Sequence, residues 1–138
     1  MDGMGRLAPV RRRWLLAAAD GMALVAFVLA GLARHVEGFA FHLVARNLGP
    51  LLVAWFAVGG FLRLYRRPAA SSFLLTWLGA VGAAAVARSL WLGHPTGSAL
   101  LTFLLVSWAS TLVALLAFRG LAWLADRALE DGGEVRAA

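Results

Sequence analysis

"WLLAAADGMALVAFVLAGLA", residues 14–33, carries one aspartate and no other charge. At about 1.5 Å per residue, a helix of that length crosses a hydrocarbon core of about 30 Å. Three further runs, roughly 48–64, 72–92 and 98–118, are comparably apolar. Over its 138 residues the chain is 62% hydrophobic and 14% charged, where soluble domains are about half apolar and about a quarter charged. Pro9, Pro50, Pro68 and Pro95 fall at or outside the edges of the runs, where a missing N–H is tolerated. The pattern predicts an all-α membrane protein, a four-transmembrane-helix bundle. Its expected parts are a basic cytoplasmic N-terminus (1–13), the membrane domain (14–120) and a cytoplasmic C-terminal end and tail (121–138). "ALEDGGEVRAA", 128–138, reads as a polar, disordered tail. The basic start of the first run also fits a cleaved signal peptide, but the length of the run and Asp20 speak against it.

Arginine sets the expected orientation. All 13 basic residues are arginine. Arg6, Arg11, Arg12 and Arg13 precede helix 1, Arg63, Arg66 and Arg67 join helices 2 and 3, and Arg119, Arg127 and Arg136 follow helix 4. These ten share one side, against Arg34, Arg46 and Arg88 toward the other. The positive-inside rule places both termini in the cytoplasm and the chain in the cell (inner) membrane as a multi-pass protein. Trp14 and Trp123 fall near the inner interface and Trp91 near the outer one, as an aromatic belt requires. The net charge of +6 then points to anionic lipid headgroups on the cytoplasmic side as the partner, not to nucleic acid.

The chain has no cysteine and no lysine, which excludes disulfides, thiolate metal sites, Fe–S clusters and a retinal Schiff base. No cofactor is expected. The connection "RHVEGFAFHLVARN", 34–47, places Val36, Phe39, Ala40, Leu43 and Val44 at helical spacing. It predicts a short amphipathic interfacial helix after helix 1, on the outer surface. A shift of 60 residues lays "LVAWFAVGGFLRL" (52–64) on "LVALLAFRGLAWL" (112–124). Two readings remain, a parallel duplication of hairpins or chance identity in a chain rich in alanine and leucine.

Several motifs resemble those of the small four-helix membrane family catalogued as Domain of Unknown Function 3054. They are Asp20 in helix 1, "ARHVEG" (33–38), the tryptophan of "LLVAWFAVGG" (51–60), "YRRP" (65–68), "VARSLWLGHP" (86–95) and "TF" (102–103). The resemblance covers about 14–120. It implies the four-span architecture and assigns no activity.

Asp20 is the sharpest functional candidate. A carboxylate deep in a bilayer costs roughly 2.5–3.5 kcal/mol, so it is expected to face protein or water. Ala17 and Gly21 admit a close neighbouring helix. Arg63 and Arg119, near the same ends of helices 2 and 4, are the expected partners, and Arg88 is too far along helix 3 for a direct pair. Asp20 then reads as a structural ion pair, as a proton or cation site, or as a protonated, unpaired acid. Arg88 either snorkels past Trp91 or binds an anion or lipid headgroup. Ser107, Ser110 and Thr111 form a polar stripe on helix 4, read as helix packing or as a permeation path. His35, Glu37, His42 and His94 lie on the outer face without a metal-binding signature, and no metal site is expected. Gly79, Ala83 and Ala87, four apart on helix 3, favour close packing and a homo-oligomer.

Three classes of function follow. An enzyme is the least favoured, since Asp20 has no visible catalytic partner. A small-solute or proton-linked transporter or channel acting as an oligomer is preferred, because an ionisable residue inside a membrane is a functional candidate by default. In having an acid in helix 1 the chain is similar to the small multidrug transporters, whose motif it lacks. The alternative is a non-catalytic structural or accessory subunit that binds lipid or a partner membrane protein.

Overall fold

A computed structural model describes residues 7–34, 41–92 and 97–137, with side chains over 10–34, 41–91 and 97–129. The chain forms α1 (Leu7–Ala33), α2 (Phe41–Phe61), α3 (Ala70–Leu92) and α4 (Ser98–Ala137). All four are long and apolar enough to cross a membrane. Each helix packs on two neighbours in the order α1–α2–α3–α4 and back to α1, so the bundle is a ring without diagonal contacts among the described residues. Consecutive helices run antiparallel. Arg11 meets Asp126 and Asp20 meets Arg119 across α1 and α4, while Trp77 meets Trp108 and Arg88 meets Phe103 across α3 and α4. One end of the bundle therefore carries the start of α1, the end of α4 and the α2–α3 turn. It is termed the terminal end below.

The interior is narrow. Ala23, Leu24, Val28, Leu51, Trp55, Ala80, Val81 and Leu115 fill it, while Val53, Leu75, Val86, Leu105, Val113 and Leu116 point outward. A helix that is apolar on all sides suits a bilayer, where no outward polar face is required. In the α3–α4 seam the indole N–H of Trp77 donates to the Trp108 carbonyl (3.1 Å) and to Thr111 Oγ1 (3.2 Å). The indole N–H of Trp108 donates back to the Leu78 carbonyl (3.3 Å). Gly82 packs against this ring, where a Cβ would lie in close van der Waals contact with Trp108 Cζ2, at 3.4 Å.

The helix limits depart from the sequence reading in three places. α1 starts at Leu7 and takes in Arg11–Arg13, because Pro9 sits in the first turn, where its N–H has no partner to lose. α2 starts at Phe41 and contains Pro50, a proline placed by the sequence at the edge of a run. Residues 41–47, expected in a separate interfacial helix, are thus the first turns of α2, with the Asn47 amide donating to the Leu43 carbonyl at 2.7 Å. The remainder of that expected helix, 35–40, lies outside the described residues. Over 41–47 the apolar spacing belongs to a continuous α2, which tolerates the loss of a single bond at Pro50. Finally, α4 runs to Ala137, through the segment read as a disordered tail. No proline follows Pro95 to stop it, and Gly132 and Gly133 weaken a helix by only about 1 kcal/mol each. At about 1.5 Å per residue α4 is about 60 Å long, roughly twice a hydrocarbon core.

The α2–α3 turn is a sharp reversal. The Leu64 N–H donates to the Gly59 carbonyl (2.8 Å) and the Arg63 N–H to that of Gly60 (3.1 Å), the paired bonds of a Schellman C-cap. Arg63 occupies the left-handed position with φ 54°, where glycine is usual. The reversal buries Leu64 against Gly59 and Thr76 and carries Tyr65 back toward α1.

Candidate functional site

Asp20 is fully buried at mid-helix in α1. The Arg119 guanidinium of α4 grips it with two bonds, Nε to Oδ1 at 2.6 Å and Nη2 to Oδ2 at 2.7 Å. The Tyr65 hydroxyl also donates to Oδ2, at 2.8 Å, and itself accepts from the indole N–H of Trp55 at 2.9 Å. The face of Arg119 lies over the Phe73 ring, 4.3 Å from its centroid, and Trp55 meets Phe73 edge-on at 6.3 Å. One network therefore joins α1, α2, the α2–α3 turn, α3 and α4. The fork of an arginine matches a carboxylate in plane, and charge-assisted bonds of this kind are the strong ones. Burial, then the charge of Asp20 and the hydrogen bond to it, push the Tyr65 phenol above its ordinary range. The Trp55 N–H and the Arg119 charge oppose this shift more weakly.

Of the two arginines expected to reach Asp20, Arg119 does so. Arg63 stands exposed at the turn and takes no part. The reason is geometric. Arg63 leaves the helix at the C-cap and points away, whereas residue 119 is a full helical position facing α1. A second pair supports the same seam, with Arg11 Nη2 2.9 Å and Nε 3.2 Å from Asp126 Oδ1. The polar stripe on α4 divides. Thr111 is buried and donates to the Ser107 carbonyl (2.6 Å) while accepting from Trp77. Ser107 is buried and Ser110 exposed. His42 is exposed at the start of α2, and His35, Glu37 and His94 lie outside the described residues.

At the end opposite the terminal end, the helices part. A cavity of about 140 Å³ opens between all four, walled mainly by apolar side chains such as Phe27, Val28, Leu51 and Val81. Arg46 of α2 and Arg88 of α3 both line it. Arg88 lies over the Phe103 ring at 5.1 Å. Leu24, Trp55, Ala80 and Leu115 belong to the packed core of the bundle, and none of them lines the cavity. The sequence had singled out neither Tyr65 and Trp55 as partners of Asp20 nor Arg46 as a partner of Arg88. Tyr65 is the sole tyrosine of the chain, and Trp55 and Tyr65 both stand in the motifs that carry the family resemblance.

Four antiparallel helices of membrane-spanning size, apolar outside and tied inside by one buried ion pair, define a multi-pass membrane bundle. The chain belongs to the family described as protein of unknown function DUF3054, whose model matches residues 17–122. No curated protein and no solved structure matches it. The matched range contains every residue of the Asp20 network and of the cavity wall.

Proposed function

We propose that the chain is a transport or channel subunit for a small solute, active as a homo-oligomer in the cell inner membrane with both termini in the cytoplasm. Its solute site is the four-helix cavity, and the Asp20 network is the clasp that holds the bundle shut on the cytoplasmic side. The observation that carries this reading is the cavity itself, which has walls from all four helices and so changes shape with any rearrangement of the bundle. Binding sites between bundle helices commonly lie in such places. Asp20 is less suited to carry a proton or cation, because it would have to give up three hydrogen bonds in each cycle. The ten arginines that the sequence places on one side support the cytoplasmic placement and contact with anionic headgroups there.

Liposome reconstitution tests the reading. Flux of protons, phosphate, acetate, glycerol and choline is measured for the unaltered chain and for Ala84→Leu, which fills the cavity. Flux of at least one probe, lost in Ala84→Leu while helicity and thermal stability persist, is the expected result. Flux that ignores the filled cavity overturns it. A second reading, an accessory subunit, draws on the exposed face of Gly79, Ala83 and Ala87, which also suits the homo-oligomer. Absence of all flux, together with a defined membrane partner lost in Ala83→Leu, favours that reading.

A further inference from the structure

The cavity wall contains a chemical imbalance. Arg46 and Arg88 each carry a buried Nε with no hydrogen-bond partner among the described residues. Buried polar donors are almost always paired, and an unpaired one at a charged group is especially unfavourable. Nor is there a carboxylate among the described lining residues to offset two guanidinium groups. The other polar lining groups are few. The Asn47 amide donates one N–H to the Leu43 carbonyl, and Ser107 also lines the cavity. Phe103 offers Arg88 a ring face, which holds the cation in place without neutralising it.

Two like charges held beside one space of low dielectric repel. An isolated charge in that setting is stabilised by a counter-charge that also accepts hydrogen bonds. Planar guanidinium groups match oxyanions in particular, through paired N–H donors. Resting on the reading of this cavity as the solute site, we propose that it binds a phosphate group, held between the guanidinium groups of Arg46 and Arg88. The group is a free phosphate-class solute or the phosphate of a lipid headgroup whose chains leave along the apolar wall of Phe27, Leu32 and Phe103. A mostly apolar wall with two convergent cations suits either source.

Thermal unfolding and calorimetry on the purified full-length chain in lipid-free non-ionic detergent test the proposal. Inorganic phosphate is added against chloride at equal ionic strength, and a short-chain phosphatidic acid is added in a separate arm. The same series is run on Arg46→Gln, Arg88→Gln and the double variant. Stabilisation by inorganic phosphate, weakened about tenfold or more in each single variant, assigns a free oxyanion. Stabilisation by the phospholipid alone, with the same dependence on both arginines, assigns a headgroup. No stabilisation by either probe overturns the proposal, as does stabilisation that persists in the double variant. Phosphate binding that appears only in Glu37→Gln also overturns it, because the counter-charge is then internal. Phosphate bound at the cavity without flux in liposomes refutes transport and leaves this inference standing. Flux of uncharged probes without phosphate binding does the reverse.

Discussion

Arg119 and Asp20, 99 positions apart in the chain, meet through both oxygens of the carboxylate, with the acid wholly enclosed and the guanidinium mostly so. Desolvating either ion alone costs several kcal/mol, and their attraction offsets this only when geometry is good and the remaining lone pairs are bonded. Tyr65 supplies the third bond and Phe73 covers the guanidinium face. The pair therefore specifies which helices lie side by side and at which level. In a bilayer that specification is valuable, because lipid tails are as apolar as leucine and do not drive helices together.

Tyr65 gives this network a spectroscopic handle. Its phenol is raised above its ordinary range by burial and by Asp20. A folded-state value above the unfolded one means stability is full below about pH 10 and falls as pH rises past it, since only the unfolded chain releases that proton readily. Tyr65 is the sole tyrosine, so tyrosinate absorbance reports it without deconvolution. Absorbance should stay flat through the ordinary phenol range and rise together with unfolding. Tyr65→Phe should remove the alkaline slope while lowering stability at neutral pH by about 1–3 kcal/mol, because Trp55 loses its acceptor. A normal phenol titration in the folded protein contradicts the geometry.

Arg63 holds a backbone conformation that side chains disfavour. The left-handed region costs a non-glycine residue about 1–2 kcal/mol. Arg63→Gly should raise thermal stability by about 0.5–1 kcal/mol after the added freedom of the unfolded chain is subtracted. Arg63→Val should lower it. A destabilising Arg63→Gly shows that the guanidinium makes a contact of its own.

Topology follows from charge. Reporter fusions after residues 68 and 127 should both mark the cytoplasm, and a fusion near residue 94 the opposite side. A cytoplasmic signal near residue 94 contradicts the four-span arrangement.

Much of this architecture was legible in the sequence because hydropathy and charge are local quantities. The four runs, the inward-facing Asp20 and its dependence on an arginine all follow from the price of burying charge in lipid. The choice between Arg63 and Arg119 did not follow. It turns on a C-cap at Gly59–Leu64 that no periodicity announces. Tyr65 was hidden for the same reason, since a residue in a basic connection returns to the core only through that reversal. Arg46 was assigned to a surface helix because its segment is amphipathic, and its shared cavity with Arg88 depends on α2 starting at Phe41. The matching interior positions of α2 and α4, Leu51 and Trp55 against Thr111 and Leu115, fit the 60-residue shift. Two helices running the same way in one ring present such a match with or without duplication.

The central claim is that Asp20 and Arg119 form a structural clasp, and a double-mutant cycle on thermal unfolding in mild detergent tests it most directly. Asp20→Asn leaves Arg119 without its counter-charge and should lower stability by about 3–5 kcal/mol. Arg119→Gln should do the same from the other side. The combined variant should be more stable than either single one, so that the coupling between the sites exceeds the loss in either single variant. Losses that simply add, or an Asp20→Asn protein as stable as the unaltered chain or more so, contradict the clasp and return Asp20 to the role of a proton site.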